Sequence, residues 1–263
     1  MPRQGQKINL ILSMPSISYS ANERAAEATE LSQKLALPIN NTDDVQLCAL
    51  EDKWALKLNG MQPIWVDFNI SHWRKGKYSC KNEALVKACK AKEGVNILDL
   101  TAGFGRDAAI LLGTGASVSL VERDKIMQIL LQDGLARADL KLKAKIRLIN
   151  SEAKEVLTKL NKANLPEVIY LDPMHPIRKK SAQVKKVMFA LQTFIKPDDN
   201  YTDLLTLARR CARERVVVKC PVTQPPVCIP NHSIGGKTIR FDVYLADGGN
   251  GNADGNVIGI ELR

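Results

Sequence analysis

From Asn82 to Leu245 the apolar positions follow two alternating rhythms: short runs rich in Val, Ile and Leu, and longer segments whose apolar side chains recur at helical spacing. That alternation is the signature of a parallel sheet whose strands are joined by crossover helices. The order reads as helix EALVKACKAK, strand VNILDL, a glycine loop, helix RDAAILL, strand SVSLVE, helix RDKIMQILLQDGLARA, strand IRLIN, helix EAKEVLTKL and strand EVIYLD. A helix over SAQVKKVMFALQTFI comes next, with Val184, Val187, Met188, Leu191 and Ile195 on one side, then a helix around TDLLTLARRCA and strands RVVVKC and TIRFDVYL. The Met and Phe positions of the first of these helices read as core.

The texture upstream is different. ANERAAEATELSQKLAL has helix-forming composition and stops at Pro38. VQLCALEDKWALKLNG and MQPIWVDFN read as short strands around a turn at Asn59-Gly60, a common two-residue hairpin signal. The chain is therefore expected to divide near residue 76. A small α+β appendage would occupy 1–76 and an α/β domain 77–245. The run ADGGNGNADGN is too rich in Gly, Asn and Asp to pack well, so 246–263 is expected as a turn or linker, with VIGIELR a candidate edge strand.

Composition narrows the class. The chain has 263 residues, 45% apolar and 25% charged, which excludes wholesale disorder, a collagen-like fibre and a disulfide miniprotein. No apolar run approaches the ~18 residues a membrane helix needs, and the N-terminal segment lacks a long apolar stretch followed by a cleavage site. A cytoplasmic protein without a membrane partner is expected. Cys48, Cys80, Cys89, Cys211, Cys220 and Cys228 show neither CxxC pairs nor Cys/His zinc spacing, so reduced, mostly buried thiols and no metal are expected. Thirty-eight Lys and Arg against 28 Asp and Glu leave +10, a field that attracts phosphates.

Strand VNILDL runs into Thr101-Ala-Gly-Phe-Gly-Arg-Asp107 and then a helix, the setting in which glycines let a backbone approach a nucleotide-like ligand. Asp99 ends the first strand, Asp107 opens the next helix, and Glu122 ends the second strand, where a carboxylate reaches both hydroxyls of a ribose. A dinucleotide needs N–H donors for its pyrophosphate, whereas S-adenosylmethionine needs acceptors around an ammonium, a sulfonium and a ribose. The acids favour S-adenosylmethionine, with S-adenosylhomocysteine as product. Gly103 and Gly105 with Glu122 would nonetheless suit a nicotinamide enzyme, and the same glycines could simply form a tight turn.

The chemistry is more specific at the end of strand Val168–Leu171, where Asp172-Pro173-Met174-His175-Pro176 sets a carboxylate on a proline-stiffened turn at the carboxyl edge of the sheet. This turn resembles the (Asp/Asn)-Pro-Pro-(Tyr/Phe) motif of class I amino-methyltransferases. An exocyclic amine of a base is a poor nucleophile because its lone pair is delocalised into the ring. The Asp172 carboxylate and the Pro173 carbonyl can each accept one of its hydrogens, favouring a pyramidal nitrogen with its lone pair directed at a sulfonium methyl. A ring at His175 could stack on a base rotated out of its helix.

Taken together, RKGKYSCKNEALVKA, LDLTAGFGRDAAIL, VERDKIMQILLQDGL, VIYLDPMHP followed by KKSAQVKKVM, RVVVKCP and RFDVYL resemble the ribosomal RNA small subunit methyltransferase J family, from about Trp73 to Leu245. The resemblance implies a Rossmann-like class I methyltransferase fold with helices on both faces of a mostly parallel sheet. It implies methylation of a guanine N2 in 16S rRNA, with that RNA or the small ribosomal subunit as partner. By position it implies that Arg106 and Asp107 line the cofactor site, that Glu122 and Arg123 lie at its ribose end, that Ser151 and Glu152 make a contact after the third strand, and that Asp172 spans cofactor and substrate. His175 stands where the family has Phe; imidazole offers less apolar area for stacking, and its charge varies near neutrality.

Three basic clusters are candidates for RNA phosphate: Arg74, Lys75, Lys77 and Lys81; Arg178, Lys179, Lys180, Lys185 and Lys186; and Arg209, Arg210, Arg213 and Arg215. The second comes directly after the Asp172 turn and is the favoured one. Two other readings remain at this point: a nicotinamide-dependent oxidoreductase, which lacks a legible hydride-transfer site, and a nonenzymatic RNA-binding assembly factor, for which the acids and glycines would be dispensable.

Overall fold

The structure, a computed structural model, describes residues 15–40, 42–58, 60–69, 83–173 and 201–247. The helix expected over 181–195, the Gly/Asn-rich turn, the C-terminal edge strand and the first two basic clusters lie outside the described residues. The described residues belong to two compact units, one ending at Ile64 and the other beginning at Trp65.

In the first unit, β1 (Ser16–Tyr19), α1 (Ala25–Leu35), β2 (Val45–Ala49) and β3 (Trp54–Leu58) form a three-stranded sheet in the order β1-β2-β3. β1 runs parallel to β2, and β3 is antiparallel to it. Helix α1 ends just before Pro38 because Ala36 adopts a left-handed conformation (φ 54°) and the N–H of Leu37 closes on Ser32 O. The hairpin differs from expectation. Its turn lies at Leu50–Lys53, where Leu50 N–H meets Lys53 O at 2.9 Å, because the charged Glu51-Asp52-Lys53 is the nearer break between two apolar runs. Gly60 (φ 71°) does reverse the chain, but the residues beyond it make one bridge, between Leu56 and Ile64, rather than a strand.

The second unit holds α2 (Ala84–Cys89), β4 (Asn96–Asp99), α3 (Arg106–Leu112), β5 (Ser117–Glu122), α4 (Lys125–Arg137), α5 (Leu140–Lys143), β6 (Ile146–Asn150), α6 (Ala153–Lys159), β7 (Val168–Leu171), α7 (Tyr201–Cys211), β8 (Arg215–Pro221), β9 (His232–Gly235) and β10 (Ile239–Leu245). Its seven strands take the order β6-β5-β4-β7-β8-β10-β9. β6, β5, β4, β7 and β8 are mutually parallel, and β10 is antiparallel to both of its neighbours. This is a Rossmann-like, doubly wound sheet. The chain winds outward from β4 through β5 to β6 and then returns to the other side of β4 as β7, which opens a crevice beyond the carboxyl ends of those two strands.

Alternation assigns the faces. Leu98, Ile169, Leu171, Val216 and Val218 pack with Val156 and Leu157 of α6 and Leu204, Leu205 and Ala208 of α7. The intervening residues Asp99, Tyr170, Val217 and Lys219 point to the opposite face, where Tyr170 meets Asp107 of α3. Cys48, Cys89 and Cys220 are buried, Cys211 is half-buried and Cys228 is exposed.

Trp65–Asn69 falls in the sheet unit, upstream of the boundary expected near residue 76. Val66 and Phe68, which resembled a strand by alternation, instead bury their side chains against this unit. Arg137 donates to Val66 O at 2.7 Å, and Asn69 exchanges hydrogen bonds with the backbone of Arg137 and Asp139. Gly134 of α4 makes the approach possible, since a Cβ there would lie 2.4 Å from Val66 Cγ1.

In an exposed helix Gly→Ala gains up to ~1 kcal/mol. Here Gly134→Ala is expected to lose ~1–3 kcal/mol by overpacking, and adding Val66→Ala should recover part of that loss. Urea denaturation of the two variants and the double mutant checks the sign.

Candidate active site at the carboxyl edge of the sheet

The site starts from two strand ends. Asp99, the last residue of β4, is almost fully buried, and its Oδ1 accepts the N–H (2.9 Å) and the hydroxyl (3.3 Å) of Thr101. The same hydroxyl oxygen accepts the backbone N–H of Asp172 at 2.7 Å, just beyond β7. Thr101 thereby links the ends of the two strands that flank the crevice. Leu100 N–H donates to Tyr170 O at 3.0 Å and continues the pairing of β4 with β7 up to this point. Pro173 is buried and Asp172 half-buried.

The loop from Thr101 to Gly105 turns through two glycines in the left-handed region, Gly103 (φ 51°) and Gly105 (φ 66°). A side chain at Gly105 would meet the ring of Phe68 at 2.7 Å, so strain and space both exclude one. At Gly103, among the described residues, a Cβ would meet Thr101 O alone, 3.8 Å away. The N–H of Gly103 donates to Glu122 Oε2 at 3.1 Å, while Glu122 Oε1 accepts from Asp124 N–H at 2.9 Å. Burial raises the Glu122 carboxyl above its ordinary value, and the backbone donors of Asp124, Gly103 and Arg123 oppose that shift.

On the same face, Lys219 of β8 bridges two acids, with Nζ 2.7 Å from Asp107 Oδ2 and 2.8 Å from Asp172 Oδ2. The Tyr170 hydroxyl donates to that Asp107 oxygen at 2.5 Å. Burial, with the charges of Asp172 and Asp107, holds the Tyr170 phenol well above its ordinary value, so it remains a donor. Burial by itself would lower the Lys219 ammonium, but Asp172 and Asp107 outweigh it and raise the group.

The structure thus brings together Asp99, Gly103, Gly105, Asp107, Glu122, Asp172 and Pro173. Arg106 is exposed at the start of α3. Arg123 and Glu152 pair with each other at 3.4 Å beyond the ends of β5 and β6. Ser151 donates its hydroxyl to Glu155 Oε2 at 2.9 Å and its N–H to Glu122 O at 3.1 Å. His175 lies outside the described residues. Thr101, Tyr170 and Lys219 were not singled out from sequence. Lys219 carried the clearest signal, as a charge near the carboxyl end of an otherwise Val-rich strand.

Three members of the third basic cluster form ion pairs, and the fourth, Arg210, is exposed. Arg209 pairs with Asp247 at 2.5 Å, Arg213 with Glu167 at 3.2 Å, and the buried Arg215 with Glu214 at 3.3 Å. Arg215 begins β8, so the cluster sits at the amino edge of the sheet, opposite Asp172.

The donor set distinguishes the two cofactors weighed from sequence. Gly103 N–H, a natural pyrophosphate donor, is taken by Glu122, and the acids Asp107, Glu122 and Asp172 would repel phosphates. They suit a cationic ligand bearing hydroxyls. Comparisons with known proteins agree. Residues 30–246 match the family model described as "Putative SAM-dependent methyltransferase", so the likeness begins well upstream of Trp73. The chain is 40% identical over 233 residues to ribosomal RNA small subunit methyltransferase J of Legionella pneumophila (strain Philadelphia 1), covering 88% of this chain and 96% of the relative. It is 38% identical over 245 residues to the protein of that name from Coxiella burnetii (strain Dugway 5J108-111), covering 87% and 96%. The crystal structure of a SAM-dependent methyltransferase from Neisseria gonorrhoeae superposes with a TM-score of 0.67 at 28% identity, covering 89% of this chain and 96% of that one.

Burial, with the charges of Asp107 and Asp172 and against the hydrogen bonds from Thr101, raises the Asp99 carboxyl to about 8. The folded chain then holds a proton that the unfolded chain releases near ~4. The stabilising contribution is fully present below that pH and is lost as pH rises towards 8. Asp99→Asn removes the dependence, so the variant should gain at least ~1 kcal/mol relative to wild type between pH 5 and pH 8. Urea unfolding of the cofactor-free proteins reads this; parallel stability curves would show that Asp99 ionises normally.

Proposed function

The chain belongs to the ribosomal RNA small subunit methyltransferase J family, and from that membership we propose that it methylates the exocyclic N2 of a guanosine in 16S rRNA of the small ribosomal subunit, in the cytoplasm. Its cofactor is S-adenosylmethionine, which supplies an electrophilic methyl group on a sulfonium. The observation that carries the reading is the placement of Asp172. Its backbone is tied to Thr101 and its carboxylate to Lys219, at the crevice that the strand order creates.

In this reading the Asp172 carboxylate and the Pro173 carbonyl each accept one hydrogen of the guanine amine. They turn its lone pair out of conjugation and towards the methyl carbon. A nitrogen–carbon bond forms as the sulfur–carbon bond breaks. The nitrogen, now positively charged and acidic, loses its proton afterwards, so Asp172 need not be a strong base. Asp99, Gly103, Gly105, Arg106, Asp107, Glu122 and Arg123 are assigned to the cofactor, with Glu122 at its ribose, and Ser151 and Glu152 to the contact beyond the third parallel strand. His175 is assigned to stacking on the base.

Asp172→Asn is expected to lower turnover about 100-fold while the dissociation constant for S-adenosylmethionine, measured by calorimetry, stays within about threefold of wild type. Unchanged turnover by the purified variant rejects the role. Mass mapping of small-subunit rRNA from cells with and without the protein tests the substrate: one guanine methylation should disappear and return with the intact chain. A map that does not change removes the assignment to 16S rRNA.

A further inference from the structure

We propose that Lys219 is a positioning residue that holds the Asp172 carboxylate in one orientation as an anionic hydrogen-bond acceptor for the substrate amine, with Asp107 and Tyr170 holding Lys219 in turn. The inference rests on the reading of Asp172 given above.

The geometry is specific. Lys219 alternates with Val216 and Val218, which pack under α6 and α7, and so emerges on the face that carries Asp99 and Tyr170. Its position is set by strand order, because β8 lies beside β7 and Val218 pairs with Leu171, one residue before Asp172. The ammonium donates to one oxygen of Asp172 and one of Asp107 at 2.8 and 2.7 Å. Tyr170 donates to that same Asp107 oxygen, which fixes the far end of the bridge. Asp172 is therefore held both through its N–H by Thr101 and through its carboxylate by Lys219.

Charge explains the need for such a residue. Among the described residues, the groups facing Asp172 and Lys219 are Asp99 from β4, Asp107 from α3 and Tyr170 from β7, and the charges of Asp99 and Asp107 also reach the buried Cys89 thiol of α2. Asp107 and Asp172 converge beside Asp99, which burial keeps protonated, and among the described residues Lys219 is the cation bonded to both of the first two. Like charges ~4–6 Å apart each disfavour the ionised form. Without the ammonium, the acid best placed to accept an amine hydrogen would be the one driven to hold a proton, and a protonated carboxyl offers a donor where an acceptor is needed. Lys219 itself does not serve as the base, because its two acidic partners keep it charged.

Lys219→Met and Lys219→Arg test the assignment by two independent readouts. In steady-state methylation of small-subunit rRNA, the Met variant should lose about tenfold or more in kcat at pH 7, with KM for RNA within about threefold. The acid limb of its rate profile should move up by roughly one pH unit or more, so that part of the loss is recovered at high pH. The Arg variant should restore the limb. In the cofactor-free protein, carboxyl carbon NMR should show Asp172 titrating at higher pH in the Met variant than in wild type. A loss that is the same at every pH, or an Asp172 titration curve that does not move, overturns the proposal. Wild-type protein that transfers no methyl to rRNA overturns the proposed function instead, and the NMR comparison still decides whether Lys219 holds Asp172. If the Met variant does not fold, Lys219→Gln is judged by the same outcomes.

Discussion

One hydroxyl group ties together the two strand ends on which the site depends. Thr101 Oγ donates to Asp99 at the end of β4 and accepts from the N–H of Asp172 beyond β7, so the acid proposed to meet the substrate is located by sheet register. Register is strongly specified here, because a slip of one residue would exchange the two faces of a strand. In β8 such a slip would carry Lys219 into the apolar layer beneath α6 and α7 and bring Val218 up beside the acids. The core packing of Ile169, Leu171, Val216 and Val218 is therefore also what aims the polar residues between them.

The glycine loop depends on a second, more local constraint. Gly105 takes a left-handed conformation with the buried ring of Phe68 against the position a side chain would occupy, and Gly134 lets Val66 lie directly on α4. The short segment from Trp65 to Asn69 thus backs the loop that leads into α3. Glu122 stiffens the loop from the other side by accepting Gly103 N–H. With the Gly103 N–H occupied in this way, Glu122 sets a carboxylate beside the loop, a polarity that suits a sulfonium cofactor.

Much of this was legible in the sequence. The helix over 106–112 and the strands over 117–122 and 146–150 fall where hydrophobic periodicity puts them, because each is a strongly patterned segment bounded by glycine or polar residues. Asp99, Asp107, Glu122 and Asp172 were identifiable because each stands at a strand end or helix start. β9 was not anticipated, since HSIG is mostly exposed and lacks alternation, and β1 is only four residues long. Lys219 and Tyr170 were missed for a deeper reason. Their meaning comes from β7 lying between β4 and β8, and strand order is a property of the folded sheet rather than of any local window. Similarly, the Arg209–Arg215 cluster looked like a basic patch until the positions of Glu167, Glu214 and Asp247 became known.

The charge distribution separates two tasks that a base-modifying enzyme must keep apart. The chain carries +10 overall, yet the crevice edge is lined by Asp99, Asp107, Glu122 and Asp172, with Lys219 committed to two of these acids. Phosphates are attracted by the net charge at a distance but meet acids at the crevice, whereas a neutral base with hydrogens to donate does not incur that repulsion. Under the proposed reading, an acidic crevice on a basic protein favours entry of a nucleobase over its own backbone. At the amino edge of the sheet Arg209, Arg213 and Arg215 are each paired with an acid, which offsets their charge locally. In the proposed reading, selectivity for the guanine amine at the crevice and affinity for the RNA chain are separate tasks. That division lets the acceptor geometry at Asp172 remain small and rigid whatever the size of the substrate.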